Sequence, residues 1–155
     1  AMVAETGCAG VVVGRGCLGR PWLFADLVAA FSGTETKVLP TLFEVREVMY
    51  RHGELIVDYF ENEDRGCRDL RKHMAWYLKG FRVNSELRRQ FGMVGSLAEL
   101  RGLLDQLDDQ AYPVEVSEKP RGRTSHGRPV TLPDGWLLDP DEIVEIELED
   151  MFSGG

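Results

Sequence analysis

Apolar residues recur at helical spacing through most of the chain. Leu42, Val45, Met49, Ile56 and Phe60 share one side of a helix drawn at 100° per residue. Leu70, Met74, Tyr77, Leu78 and Phe81 do the same one segment later, and Leu97, Leu100, Leu103, Leu104 and Leu107 a third time. The segment ends are punctuated. Thr41 with Glu44, and Ser96 with Glu99, are capping-box pairs that open a helix. The acidic turn Glu61-Asn62-Glu63-Asp64 closes the first segment, and Asn84-Ser85 breaks the second ahead of a further short turn over residues 85–91. Three amphipathic helices with short connections predict a small antiparallel bundle, whose core is marginal but feasible at this size.

The pattern differs at both ends. Residues 1–9 read as the tail of a helix that Gly7 stops. Gly10-Val11-Val12-Val13-Gly14 is a short apolar run bounded by glycines, which suits a strand buried on both faces of a parallel sheet. A glycine-dense turn, Gly14 to Gly19, leads into a helix over residues 21–31, with Pro21 tolerated in its first turn. Helix, strand, turn, helix is the grammar of an α/β unit. One such strand has no partner, so the chain is expected to begin partway through a larger domain. Residues 32–40 read as a polar boundary. Past Tyr112 a polar, basic linker runs to Pro129, followed by a hairpin pattern around Pro133-Asp134-Gly135 and an acidic end punctuated by Ile143, Val144, Ile146 and Leu148. The division expected is residues 1–33, 41–110 and 111–155.

Charge adds a second layer. The chain carries −8 overall, yet residues 65–90 hold eight Lys and Arg against two acidic residues, a local +6. Arg68, Arg71, Lys72, Lys79 and Arg82 fall opposite the apolar side of the second helix. A solvated outer face competes with polyanion contact here. The excess is one-sided and reads as lacking the acidic i,i+4 partners of a merely soluble helix, which favours a polyanion. Trp76 projects toward the same side. It could stack on an RNA base or pack against a neighbouring domain.

Other chemistry is sparse. Cys8, Cys17 and Cys67 are odd in number and lack metal-ligand spacing, as reduced fillers in a cytoplasmic protein would. His73 sits at the edge of the apolar side, with no second histidine or carboxylate at a helical spacing that suggests metal or general-base work. No nucleophile motif, signal peptide or membrane-length apolar run is present. The glycine turn after the strand is either a tight turn or a set of backbone amides open to a phosphate, and spacing alone does not choose.

Two blocks carry a resemblance. Gly10-Val-Val-Val-Gly14-Arg15-Gly16-Cys-Leu-Gly19-Arg20-Pro21-Trp22-Leu23-Phe24 resembles the last barrel strand and following turn of tRNA-dihydrouridine synthases. Arg71-Lys72-His73-Met-Ala-Trp76-Tyr77-Leu78 is similar to the Arg-Lys-His-x-x-Trp-Tyr segment of that family's C-terminal helical domain. The blocks occur in the family's order and at about its separation, and the resemblance covers roughly residues 1–110. It implies a (β/α)₈ barrel holding FMN, joined to a helical tRNA-binding domain. It also implies reduction of a tRNA uridine at its 5,6 double bond, with NADPH reducing the flavin. Gly14 and Arg15 match the positions whose amides hold the FMN phosphate, and the basic helix matches the part that faces tRNA.

The expected fold is therefore mostly α: the last strand-turn-helix unit of a truncated (β/α)₈ barrel, then an antiparallel helical bundle, then a hairpin and acidic tail. The resemblance also implies a cysteine on a barrel loop that gives a proton to the uracil ring. That loop would lie before residue 1, so no catalytic residue and no synthase activity is expected of the chain alone. The alternative is a stand-alone helical module that binds RNA or protein and has no redox role.

Overall fold

The structure is a computed structural model and describes residues 2–117. The hairpin pattern at 130–138 and the acidic end lie outside the described residues. The elements are α1 (Met2–Thr6), a 3-10 turn (Arg15–Cys17), α2 (Leu23–Phe31), α3 (Leu42–Phe60), α4 (Glu63–Tyr77), α5 (Ser85–Phe91), α6 (Leu97–Leu104) and α7 (Val114–Ser117).

Capping sets most of these boundaries. At the start of α3 the Glu44 amide donates to the Thr41 hydroxyl at 3.4 Å, and the Thr41 amide donates to the Glu44 carboxylate at 2.7 Å. Both arms of the expected box are present. Ser96 accepts from the Glu99 amide at 3.1 Å, but the return arm differs: Glu99 accepts from Gly95 at 2.8 Å. Asn62 caps α4 by accepting from the Arg65 amide at 2.9 Å, and Asn84 caps α5 from Leu87 at 2.7 Å. One cap crosses between helices, as Glu63 in the first turn of α4 accepts from the Leu97 amide at 2.9 Å and so also caps α6.

Glu61 and Asn62 alone join α3 to α4, and the two helices run antiparallel. Side chains nearly equidistant from that turn face each other, Gly53 toward Leu70 and Val57 toward Gly66. The core is continuous, with Leu42, Val45, Met49, Leu70, Met74, Leu78, Phe91, Val94, Leu100 and Leu104 all buried. Trp22, Val48, Ile56 and Leu97 pack against it from the margin. The three predicted apolar sides are thus the sides that meet, except at Phe60, whose ring lies under the Arg65 guanidinium at 4.4 Å instead of joining the core.

Three further expectations are corrected. Residues 10–14 form no strand, and no strand occurs among the described residues. A strand in a parallel sheet needs neighbours to take its N–H and C=O groups, and none is at hand; Val12 is 99% exposed. The basic helix stops at Tyr77 rather than running on to Phe81: Gly80 at φ 90° turns the chain, so Leu78 and Phe81 reach the core from a loop. Val114–Ser117 is a short helix where an unstructured linker is expected.

Candidate nucleic-acid interface and glycine turn

Of the predicted cations α4 carries Arg68, Arg71 and Lys72, while Lys79 and Arg82, expected on the same helix, fall in the loop beyond its end at Tyr77. Arg68 and Lys72 stand in solvent, with side chains 67% and 63% exposed. Arg82 is exposed as well, with its backbone clamped: the Gln110 side chain accepts from its N–H at 2.8 Å and donates to its C=O at 3.0 Å. Lys79 is half-buried. Arg71 turns inward, its Nε donating to the Val94 carbonyl at 2.8 Å. Arg88 also works inside the fold, on three backbone carbonyls, while Arg89 is paired with Glu86 at 2.7 Å.

The expected lack of acidic partners does not hold. Asp64 pairs with Arg68 at 2.6 Å from one turn before it, and Asp69 pairs with Lys72. Over residues 63–82 the net charge is +3. Exposed pairs of this kind contribute only about 0–1 kcal/mol each. A phosphate can therefore compete for Arg68 and Lys72 at little cost.

The glycine turn is open on one side. Gly14, Arg15 and Gly16 are exposed, and a Cβ added at Gly14 would meet nothing within 4 Å. Cys17 closes the turn, its amide and its thiol both reaching the Gly14 carbonyl, the thiol at 3.1 Å. The turn thus leaves Gly14, Arg15 and Gly16 open to solvent, with room beside Gly14 for a ligand to approach the backbone. Among the described residues no group of three His, Cys, Asp or Glu side chains could hold a metal ion. No described helix is long and apolar enough to cross a membrane. Cys67 is buried and Cys8 and Cys17 half-buried, all as free thiols.

Between the turn and the bundle lies a cavity of about 590 Å³. Cys17, Leu18, Gly19 and Pro21 form one wall and His52, His73 and Tyr77 another. The two imidazoles meet edge-to-face with centroids 4.7 Å apart, and Tyr77 Oη lies 3.1 Å from His52 Nδ1. His73 in turn meets Trp76 at 5.3 Å. Reading along one helix misses His52, which belongs to α3. The expected lack of a carboxylate at helical spacing from His73 is corrected too: Asp69 lies one turn before it, at i−4, and its charge acts on the ring. The signal was available in the hairpin itself: His52 and His73 lie at similar distances from the turn at Glu61–Asn62.

Burial is the main cause holding both imidazoles below the usual histidine range. For His52 the neighbouring His73 adds to it and Asp69 opposes; for His73 Asp69 opposes and Lys72 adds. Burial also pushes the Tyr77 hydroxyl up to about 12. Above pH ~6.5 both rings are neutral folded or unfolded, so the full stability is present. As the pH falls further the unfolded chain takes up protons first, and stability declines until the folded rings titrate. The melting temperature is therefore expected to fall between pH 7 and 5.5, and to fall less in the His52→Asn/His73→Asn protein. Equal slopes in the two proteins would exclude the histidine pair as the cause.

With the bundle, the exposed cations of α4 and the glycine turn described, the comparison with known families is direct. Residues 1–116 match the family model for Dihydrouridine synthase (Dus). The chain belongs to the dihydrouridine synthase family. It is 53% identical over 156 aligned residues to a probable tRNA-dihydrouridine synthase of Mycobacterium leprae, and 52% identical over the same length to one of Mycobacterium tuberculosis. Those alignments take in all of this chain and 40% of each relative. A probable tRNA-dihydrouridine synthase 1 of Synechocystis is 36% identical over 106 residues, 68% of this chain and 29% of the relative. The chain thus spans about 40% of the length of its mycobacterial relatives, and the alignments run through its last residues.

Proposed function

We propose that this chain is the C-terminal part of a flavin-dependent tRNA-dihydrouridine synthase. In the whole enzyme a uridine of tRNA is reduced to dihydrouridine in the cytoplasm. This part supplies the helices that dock tRNA and half of the FMN phosphate site. The observation that carries the reading is the exposed pair Arg68 and Lys72, one turn apart on α4, with the exposed Arg82 in the loop beyond it, in an otherwise acidic chain of this family.

Each residue then has a physical task. Arg68, Lys72 and Arg82 neutralise backbone phosphates, with Lys79 at the margin; Arg71 holds the α5–α6 connection against α4 and contributes charge at longer range. The amides of Gly14 and Arg15 are the donors this reading assigns to the FMN phosphate. Bound FMN, recharged by NADPH, supplies the hydride for the uracil ring, and no residue of this chain is assigned to that step. The apolar outer side of α2 supports the truncated-barrel part of the reading. Phe24, Val28 and Phe31 recur at helical spacing and are 50%, 67% and 61% exposed, as the last barrel helix would be without its sheet.

The test uses the chain as it stands. Unmodified tRNA is expected to bind at low salt with a steep salt dependence, because each neutralised phosphate releases counterions. Changing Arg68, Lys72 and Arg82 together to Ala is expected to weaken binding at least tenfold and to flatten the log–log salt slope by about 2–3. No binding at low salt, or an unchanged slope in the triple variant, would sink the docking role.

A further inference from the structure

The glycine turn and the basic helix touch at a single crowded point. Gly19 is buried with φ +61°, a backbone region that side chains rarely occupy. A Cβ there would come within 2.5 Å of the Tyr77 amide nitrogen and 2.6 Å of the Trp76 carbonyl oxygen, and closer still to the Trp76 carbonyl carbon. These are backbone atoms of the last turn of α4, which cannot swing aside as a side-chain tip could. Three residues on, Trp22 packs edge-on to Tyr112 at 5.7 Å, and Tyr112 edge-on to Phe81 at 5.9 Å. Between and beyond these two contacts the segment is tied to itself. Arg20 pairs with Asp26 at 2.9 Å with both side chains nearly buried, and Asp26 accepts from the Val38 amide at 2.7 Å.

Two attachments three residues apart fix an orientation as well as a position. The helix that receives Gly19 at its end also carries Arg68 and Lys72 on its earlier turns. Lys72 lies five residues before Tyr77 and Arg68 nine, so about 7.5 and 13.5 Å along the axis at 1.5 Å per residue. On the other side, Arg15 is four residues from Gly19. Tyr77 is braced in turn from α3 through its contact with His52. We infer that Gly19 and the end of α4 form a rigid joint that sets the offset between the phosphate-side turn and the RNA-side cations. Gly19 and Trp22 are then positioning residues of the whole enzyme: they act on neither cofactor nor tRNA but on the distance between them. This assignment rests on the functional reading above; the joint itself does not.

Hydrogen–deuterium exchange on the 155-residue chain decides the joint. Peptides over residues 17–24 are expected to exchange as slowly as the end of α4. Gly19→Ala is expected to speed exchange there at least tenfold and to leave α6 unchanged. Trp22→Leu, which removes the second attachment without a backbone clash, is the companion should Gly19→Ala fail to fold. Free exchange over 17–24 in the unsubstituted chain, or no change in either variant, would overturn the joint. In the whole enzyme the folded variant is expected to keep flavin content and tRNA affinity within about twofold. Its kcat is expected to fall more than tenfold with little change in KM. Flavin content or tRNA affinity falling in step with turnover, or turnover unchanged, would overturn the positioning role. An unsubstituted whole enzyme without turnover would overturn the functional reading and the positioning role with it, while the exchange result would still decide the joint.

Discussion

Arg88→Ala is expected to lower the melting temperature of the chain by roughly 10 °C. The guanidinium closes the irregular stretch between α4 and α5. Its Nη2 donates to the Leu78 carbonyl at 3.0 Å and the Phe81 carbonyl at 2.7 Å, and its Nε donates to the Val83 carbonyl at 3.0 Å. Hydrogen bonds to a charged group contribute about 1.5–3 kcal/mol each, but Arg88 is half-buried and water can replace part of what is lost. A net loss of about 3 kcal/mol is the reasonable sum, which at this size moves the midpoint by about 10 °C. Lysine should recover little, because one ammonium on a flexible stem does not reproduce a planar fork serving three acceptors. Leu78 and Phe81 are buried, so loosening their backbone also loosens the core. Thermal melts of the three proteins decide it: a loss under 3 °C for Arg88→Ala, or full rescue by lysine, would mean the three bonds contribute little.

Arg88 also shows where sequence reading stops. A helical wheel separates an apolar side from a polar one, and that separation was enough to place the buried leucines of α3, α4 and α6. It cannot tell an arginine that meets solvent from one that folds back onto a carbonyl. Arg71 and Arg88 count toward the basic excess in the sequence, yet both spend their donors inside the fold. The acid partners escaped for a different reason. Asp64 lies one residue before the stretch whose charge was summed, and Asp69 pairs at i,i+3, outside the i,i+4 rule applied. Caps were legible because they are local: Thr41 and Ser96 act within three residues of themselves. The valine run at 11–13 was legible as an apolar strand pattern but forms none, since a ladder needs partner strands and none occurs among the described residues. The joint at Gly19 left only a glycine in the sequence; its requirement comes from a backbone 57 residues away at Trp76.

Gly66→Ala and Gly102→Ala are expected to change stability in opposite directions. Both glycines are inside helices, α4 and α6, where alanine is favoured over glycine by about 1 kcal/mol through lower backbone entropy in the unfolded chain. At Gly102 nothing lies within 4 Å of the added Cβ, so that gain is realised and the melting temperature should rise by about 2–4 °C. At Gly66 the Cβ would sit 2.8 Å from the Cα and Cγ2 of Val57 and 3.0 Å from its amide nitrogen. Two of those atoms are α3 backbone, so relief requires the α3–α4 pair to separate. Overpacking of this kind costs about 1–3 kcal/mol or more, and the pair is the longest contact in the bundle, so the upper part of that range applies. After the gain from helix propensity is deducted, a net loss of about 2 kcal/mol remains, near 6–8 °C. Separation would also part His52 from His73, whose rings meet across the same seam, so Gly66→Ala should weaken the pH dependence expected of that pair. A stabilised Gly66→Ala protein would show that the two helices can move apart freely, and the seam would then not be what fixes the histidine pair in place.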